Sequence, residues 1–276
     1  SGTSTLFNIL TAHPQVRGAS RKELLWFHTV DDRVRCDPPG TRPTSEEFGE
    51  YLGHFPRLAN ATVLTGEFSA TYVHCWCCPE AFRRLLPDLR LVAQLRDPIA
   101  RARSRWTEQK LFGKAEIKPG GFEEYVEKAL PKLQACMERA DGSLEDEVRC
   151  AAGSNTLGLS LYDSAIKLWL AHFPPSSFLV TYLEQLAASP QSVASAISRL
   201  LGIEDRQYNE TILGKKFNAR GAYGWRTASM LEREGNSTAM QKLYAFYRPH
   251  VQNLQSLAAQ GIISPLPASW VANWKL

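Results

Sequence analysis

Apolar positions recur at helical spacing in several stretches of the chain. Leu6, Phe7, Ile9 and Leu10 predict a helix over residues 4–12 that opens directly after Gly2-Thr3, and His13-Pro14 ends it. Residues 79–86 carry a shorter helical pattern, residues 99–110 a basic helix and residues 122–137 an amphipathic one. Residues 159–171 form a clear amphipathic helix. Residues 191–201 repeat the pattern through Val193, Ile197, Leu200 and Leu201, and residues 240–259 give the last long helix. Between these lie short β-prone runs at 61–65, 89–94 (LRLVAQ) and 178–182 (FLVTY). The proline-rich stretch 36–47 predicts a loop, residues 141–148 an acidic exposed stretch, and residues 215–224 a basic, glycine-containing loop. Short apolar strands alternating with helices predict an α/β fold with a mainly parallel sheet. No internal repeat or low-complexity tract interrupts it.

Composition narrows the function classes. The chain has 276 residues, 44% of them hydrophobic and 22% charged, which suits a globular protein with an ample core. A net charge of +4 is mildly basic: it suits an anionic ligand and falls short of a nucleic-acid footprint, so no nucleic-acid partner is expected. No apolar run reaches the length of a membrane span, and no signal peptide opens the chain. A glycine-hydroxyl motif begins at residue 1, where a strand would ordinarily precede it. The expectation is therefore an N-terminally truncated fragment, with membrane attachment only through an upstream anchor outside this chain.

The six cysteines include the cluster Cys75-Trp76-Cys77-Cys78 beside His74. No second pair stands at zinc-ligand spacing, so disulfides are expected rather than a metal. Cys136 and Cys150 bracket a polar 13-residue stretch and can close a loop, leaving Cys36 among the others. Sequons at Asn60, Asn209 and Asn236, with an even cysteine count, point to the secretory lumen.

Two segments carry anion chemistry. In Ser1-Gly2-Thr3-Ser4-Thr5 a glycine turn at a helix start aims backbone N–H groups at one place, and Thr3, Ser4 and Thr5 add hydroxyls. The alternative there is a plain serine/threonine helix cap. In LVAQLRDPIARARSRW, Arg96 emerges at the tip of a buried strand and Ser104 follows eight residues on. Ligands of open α/β sheets bind at such strand ends. The alternative is an Arg96–Asp97 surface pair on a solvated basic helix.

In this order and spacing the two segments resemble sulfotransferases dependent on 3′-phosphoadenosine 5′-phosphosulfate (PAPS). In that family a K-x-G-T-T/S turn holds the 5′-phosphosulfate, here SGTST, and R-[DN]-P-x(5)-S holds the 3′-phosphate, here Arg96-Asp97-Pro98 with Ser104. The GLSLYDSAIKLWL…FLVTYLEQL stretch and FYRPHVQNL extend the resemblance over roughly residues 1–260. LTAHPQV with KELLWF, and TGEFSATY, resemble the Golgi glycan sulfotransferases, nearest in pattern to N-acetylgalactosamine 4-sulfate 6-O-sulfotransferase. Enzymes of the heparan sulfate 3-O type carry Lys where this chain has Phe68.

The resemblance implies a P-loop-like three-layer α/β/α fold around a central mainly parallel sheet, forming one domain over residues 1–276. It implies a Golgi lumenal enzyme, type II membrane-anchored at full length. It would move sulfuryl from PAPS, without a metal, to a hydroxyl of a chondroitin- or dermatan-type glycan. Glu23 matches the catalytic carboxylate, with Glu67 orienting the site or standing in as base; a solvated residue beside Lys22 is the alternative for Glu23. Gly2, Thr3, Ser4, Thr5, Arg96 and Ser104 would bind the nucleotide, joined by Arg220 and Gly221 from the late basic loop. The family's lysine before the turn would fall upstream of Ser1, so this stretch alone is expected to be catalytically impaired. Tyr182 can approach adenine or pack in the core; Trp26, Trp76 and Trp225 can stack on sugar or lie in a surface patch; His13, His28, His74 and His172 fit no triad. Two rival readings are a P-loop kinase, disfavoured by the absent GxxxxGK[ST], and a non-catalytic glycan-binding relative.

Overall fold

The computed structural model describes residues 2–27, 45–58, 62–111, 113, 120–214 and 237–276. The chain opens with α1 (Thr3–Thr11), β1 (Val16–Gly18) and α2 (Ser45–Gly53), followed by β2 (Leu64–Gly66) and α3 (Cys78–Leu85). Then come β3 (Leu91–Leu95), α4 (Pro98–Leu111), α5 (Phe122–Ala140), α6 (Leu144–Ala152) and α7 (Asp163–His172). β4 (Phe178–Tyr182), α8 (Leu183–Ala188), α9 (Pro190–Leu201), α10 (Glu210–Leu213), α11 (Thr238–Ala259) and α12 (Ala268–Trp274) complete it.

Among the described residues every strand pairing is parallel, as the alternation of strands and helices predicts. The strands form two pairs rather than one continuous hydrogen-bonded sheet. β1 runs beside β2 with Val16 opposite Leu64, and β3 beside β4 with Leu91 opposite Phe178 and Leu95 opposite Tyr182. β1 spans three residues, too short to show an alternation of period two.

Two expectations are corrected. The loop predicted to residue 47 overruns α2, whose first turn holds Glu46 and Glu47, where carboxylates complement the helix dipole. The acidic stretch 141–148 is mostly the start of α6: Ser143 Oγ accepts from the Asp146 N–H, Glu145 to Glu147 fill the first turn, and Val148 is buried. An acidic run before an apolar residue is a helix N-terminus here, not a solvated loop. A disulfide joins Cys136 to Cys150 and ties α5 to α6, worth about 3 kcal/mol by loop-closure entropy. A second joins Cys75 to Cys78.

The larger core packs α3, α5, α6, α7, α11 and α12 around β3 and β4. A smaller one sets Leu6, Ile9 and Leu10 of α1 against Leu186, Val193, Ala194 and Ile197 of α8 and α9. Burial of that apolar face, at about 25 cal/mol per Å² removed from water, fixes where the N-terminus of α1 points.

α7 and α11 are stapled by one buried carboxylate. Asp163, 1% exposed, accepts from His250 Nδ1 at 2.8 Å and Asn253 Nδ2 at 2.7 Å. Burial alone would raise the Asp163 pKa, but the His250 and Asn253 contacts outweigh it and hold the carboxyl below its ordinary value. A depressed folded pKa stabilises the fold above the unfolded value and loses that contribution as pH falls through the folded one. Asp163→Ala strands both partners and should lower unfolding free energy by about 2–4 kcal/mol at neutral pH. In denaturant titrations that deficit should shrink below about pH 4.

Candidate functional site

The N-cap position of α1 is Gly2, at φ 76° in the left-handed region. A glycine has no side chain to cap with, so the helix start is not the serine/threonine cap that the sequence left open. The first intrahelical bond runs from the Leu6 N–H to the Gly2 carbonyl at 3.0 Å. The backbone N–H groups of Thr3, Ser4 and Thr5 precede it at the positive end of the dipole, and no acidic residue stands in the first turn. Such a turn favours an anion.

Arg96 follows the last residue of β3, and its carbonyl accepts from the Tyr162 hydroxyl at 3.0 Å. Asp97 shapes the turn into α4: Oδ1 accepts from the Ala100 N–H at 2.9 Å and Oδ2 from Trp274 Nε1 at 2.8 Å. The Asp97 N–H donates to Glu184 Oε1 at 3.2 Å. Asp97 therefore shapes the turn through both carboxylate oxygens. Glu184 lies next to Leu183, and a Cβ on Gly2 would stand 2.6 Å from Leu183 Cδ1. The α1 turn and the Arg96 turn thus both abut the 183–184 segment at the C-terminal end of β4. Ser104, half-buried, lies on α4 on the side opposite the buried Ala102 and Trp106. Arg101 turns to a structural task, donating to the Asn155 and Thr156 carbonyls at 2.8 and 2.9 Å.

The other strand pair delivers the carboxylates. β1 ends at Gly18, where a Cβ would meet Phe7 Cε2 of α1 at 3.3 Å, and Phe68 just beyond β2 packs edge-on to Phe7 with centroids 4.9 Å apart. The Glu23 N–H donates to the Phe68 carbonyl at 3.1 Å. The Glu23 carboxylate accepts from the Ala70 N–H at 2.9 Å and pairs with Lys22 Nζ. With a third of its side-chain surface exposed, Glu23 is a held carboxylate open to solvent rather than a freely solvated one. Glu23 and Leu25 both adopt left-handed backbone at φ 57° and 52°, which costs non-glycine residues about 1–2 kcal/mol each. Such strain persists only where surrounding contacts enforce it.

Glu67, one residue past β2, accepts from Tyr51 Oη at 3.0 Å and Ser69 Oγ at 3.2 Å. Burial pushes its carboxyl up to about 7, against the pull of its hydroxyl partners and aided by the nearby Glu23 charge. Tyr51 comes from α2, an element the proline-rich stretch concealed in the sequence. Glu184 stands within the resembling FLVTYLEQL stretch, but its contact with the Asp97 N–H joins residues far apart in the chain and leaves no local pattern.

The remaining candidates separate cleanly. Arg220 and Gly221, with Lys215, Lys216 and Trp225, lie outside the described residues, as do Ser1, His28, Cys36, Asn60 and Asn236. Tyr182 is a core residue: it is fully buried, donates to the Ser264 carbonyl at 3.0 Å and packs on Trp270. Trp26 and Trp76 are buried too, Trp26 against Phe27 and Tyr51 and Trp76 beneath the Arg149 guanidinium, so neither offers a face to a sugar or forms a surface patch. His13 and His74 are buried and hydrogen-bonded to the Glu204 and Leu161 carbonyls.

Because Gly2 needs a left-handed backbone, Gly2→Ala should destabilise the protein by about 1–2 kcal/mol, seen as a lower denaturation midpoint. Its Cβ would also press the flexible end of Leu183, so the larger Gly2→Val should cost more.

Residues 1–218 match the family described as the sulfotransferase domain. The bifunctional heparan sulfate N-deacetylase/N-sulfotransferase 3 of Homo sapiens is 24% identical over 290 residues, covering 98% of this chain and 30% of that protein. The heparan sulfate glucosamine 3-O-sulfotransferase 6 of Mus musculus is 23% identical over 275 residues, 94% of this chain and 69% of that protein. The chain therefore spans under a third of the first relative's length. A crystal structure of a sulfotransferase from Alicyclobacillus acidocaldarius matches with TM-score 0.64 at 20% identity, covering 100% of this chain and 94% of the other; likeness at that identity speaks to fold alone. The fold, the order of its turns and the family match agree: this chain belongs to the sulfotransferase domain family.

Proposed function

We propose that this protein transfers the sulfuryl group of PAPS to a hydroxyl of a glycan, and that residues 1–276 act as one sulfotransferase domain. The observation that carries the reading is the position of α1. Its first turn abuts the 183–184 segment beside the Arg96 turn, and its next turn, through Phe7, touches the loop on which Glu23 rests. A carboxylate and two anion-favouring elements therefore gather at the C-terminal ends of parallel strands.

The donor, when bound, supplies an activated sulfuryl group bridged through oxygen to phosphate. The N–H groups at the start of α1 face the 5′ end of the nucleotide in this reading, and Arg96 with Ser104 takes the 3′-phosphate. The acceptor oxygen forms the new bond to sulfur, the bridging S–O bond breaks, and its electron pair stays on the phosphate side. Glu23 takes the hydroxyl proton. The α1 N–H groups and dipole meet the charge that grows on the bridging oxygen, in fixed orientation, which is where preorganised donors gain most. Arg220 and Gly221 remain proposed contributors from the late basic loop.

The two curated relatives are named as heparan sulfate enzymes, and they favour a glycosaminoglycan acceptor. Within that class, Phe68 and the TGEFSATY pattern favour a chondroitin- or dermatan-type chain. The disulfides, with no free cysteine among the described residues, support a Golgi lumenal setting.

Transfer of labelled sulfate from PAPS to a panel of heparan and chondroitin oligosaccharides tests the reading in the full-length protein. Glu23→Gln should lower kcat by about 10²–10⁴-fold. Arg96→Ala should weaken binding of adenosine 3′,5′-bisphosphate by about 10–100-fold, the worth of a charge-assisted contact. Wild type that binds nucleotide and glycan yet transfers nothing would make the protein a binding module. Preference for ATP would make it a kinase. Transfer confined to heparan chains would replace the chondroitin assignment.

A further inference from the structure

Glu67 has no part in the chemistry above, yet it is the best-connected carboxyl beside it. The Ser69 hydroxyl donates to Glu67 Oε2 and accepts the Leu25 N–H at 3.2 Å. The Tyr72 hydroxyl accepts the Phe27 N–H at 3.0 Å and stands near enough to Glu67 to favour its ionised form. A third hydroxyl, Tyr51 from α2, closes the other side of the carboxyl. The carboxylate thus orients the Ser69 hydroxyl so that its lone pair meets the Leu25 N–H, while Tyr72 holds the Phe27 N–H on the other side of Trp26. Those N–H groups belong to the segment in which Glu23 and Leu25 sit in left-handed backbone. Hydrogen bonds chained in this way polarise and strengthen one another.

We infer that Glu67 is a positioning residue for the proposed transfer, its buried carboxylate latching the segment that presents Glu23. The inference rests on the reading of Glu23 as the base. The latch acts through shape rather than contact with substrate. Among the described residues Tyr51 donates to one carboxyl oxygen and Ser69 to the other, an arrangement suited to an oxygen pair that accepts at both ends. A proton on Oε2 opposes the Ser69 proton, turns that hydroxyl and loosens its hold on the Leu25 N–H, and a proton on Oε1 opposes Tyr51. The groups facing Glu67 are Tyr51 of α2, Ser69, Tyr72 and, from the 20–27 segment, Glu23 with Lys22 beside it. Because burial holds the carboxyl near 7, the latch opens and closes within the neutral range.

The test is kcat and KM across about pH 5.5–8.5 for wild type, Glu67→Gln, Tyr72→Phe and Glu23→Gln in the full chain. Wild-type kcat should rise with pH through an inflection near 7. Glu67→Gln should lower kcat by about 10–100-fold and abolish the inflection, with KM for PAPS changed by less than about threefold, since the donor grip lies at α1. Tyr72→Phe keeps the ring in the core but removes a hydroxyl that favours the ionised carboxyl, so its inflection should move to higher pH. Wild-type kcat and an unchanged inflection in Glu67→Gln would overturn the inference. Should Glu67→Gln fail to fold, an unmoved inflection in Tyr72→Phe overturns it alone. If Glu23→Gln silences transfer while Glu67→Gln behaves as wild type, only the latch fails. If Glu23→Gln transfers normally, the base assignment falls and the latch with it.

Discussion

The structure depends on where the first turn of α1 comes to rest. Its apolar face is clamped against α8 and α9 through Leu6, Ile9 and Leu10, and its entry is a glycine in left-handed backbone pressed on Leu183. Phe7, on the next turn, fills the space left by Gly18 and stacks edge-on with Phe68. One nine-residue helix therefore ties the C-terminal end of the β3–β4 pair to that of the β1–β2 pair. Without that fixed helix, the Arg96 turn and the Glu23 loop have no common reference.

The chemistry follows from this placement. Parallel strands deliver Glu23, Glu67, Arg96 and Glu184 from the same kind of strand end, and backbone hydrogen bonds then set their spacing. The site holds its charges in unlike ways. Glu23 is partly exposed and met by Lys22 and the Ala70 N–H; Glu67 is buried and, among the described residues, accepts from the Tyr51 and Ser69 hydroxyls. Two neighbouring carboxyls in different surroundings can divide the work, one reaching the substrate and one holding the backbone that presents it.

The parallel α/β class, β4 to the residue, and six of the seven predicted helices within one to three residues were legible because periodicity and turn residues report them directly. The Arg96-to-Ser104 spacing and the Gly2 turn were legible as local motifs. What stayed hidden depends on long-range contact. Three-residue strands such as β1 leave no period, and α2 sits behind prolines. Tyr182 and Trp26 are aromatic in sequence wherever they end up, and only packing assigned them to the core. The network around Glu67 joins residues 25, 27, 51, 67, 69 and 72, which no local pattern connects.

In the proposed reading one nucleotide spans the α1 turn and the Arg96 turn. A crystal structure of the full-length protein with adenosine 3′,5′-bisphosphate and an acceptor oligosaccharide tests it most directly. The account predicts the 5′-phosphate on the N–H groups of Thr3 to Thr5, the 3′-phosphate within hydrogen-bond reach of Arg96 and Ser104, and an acceptor hydroxyl at Glu23. A nucleotide bound elsewhere, or held at one turn with the other empty, would contradict it.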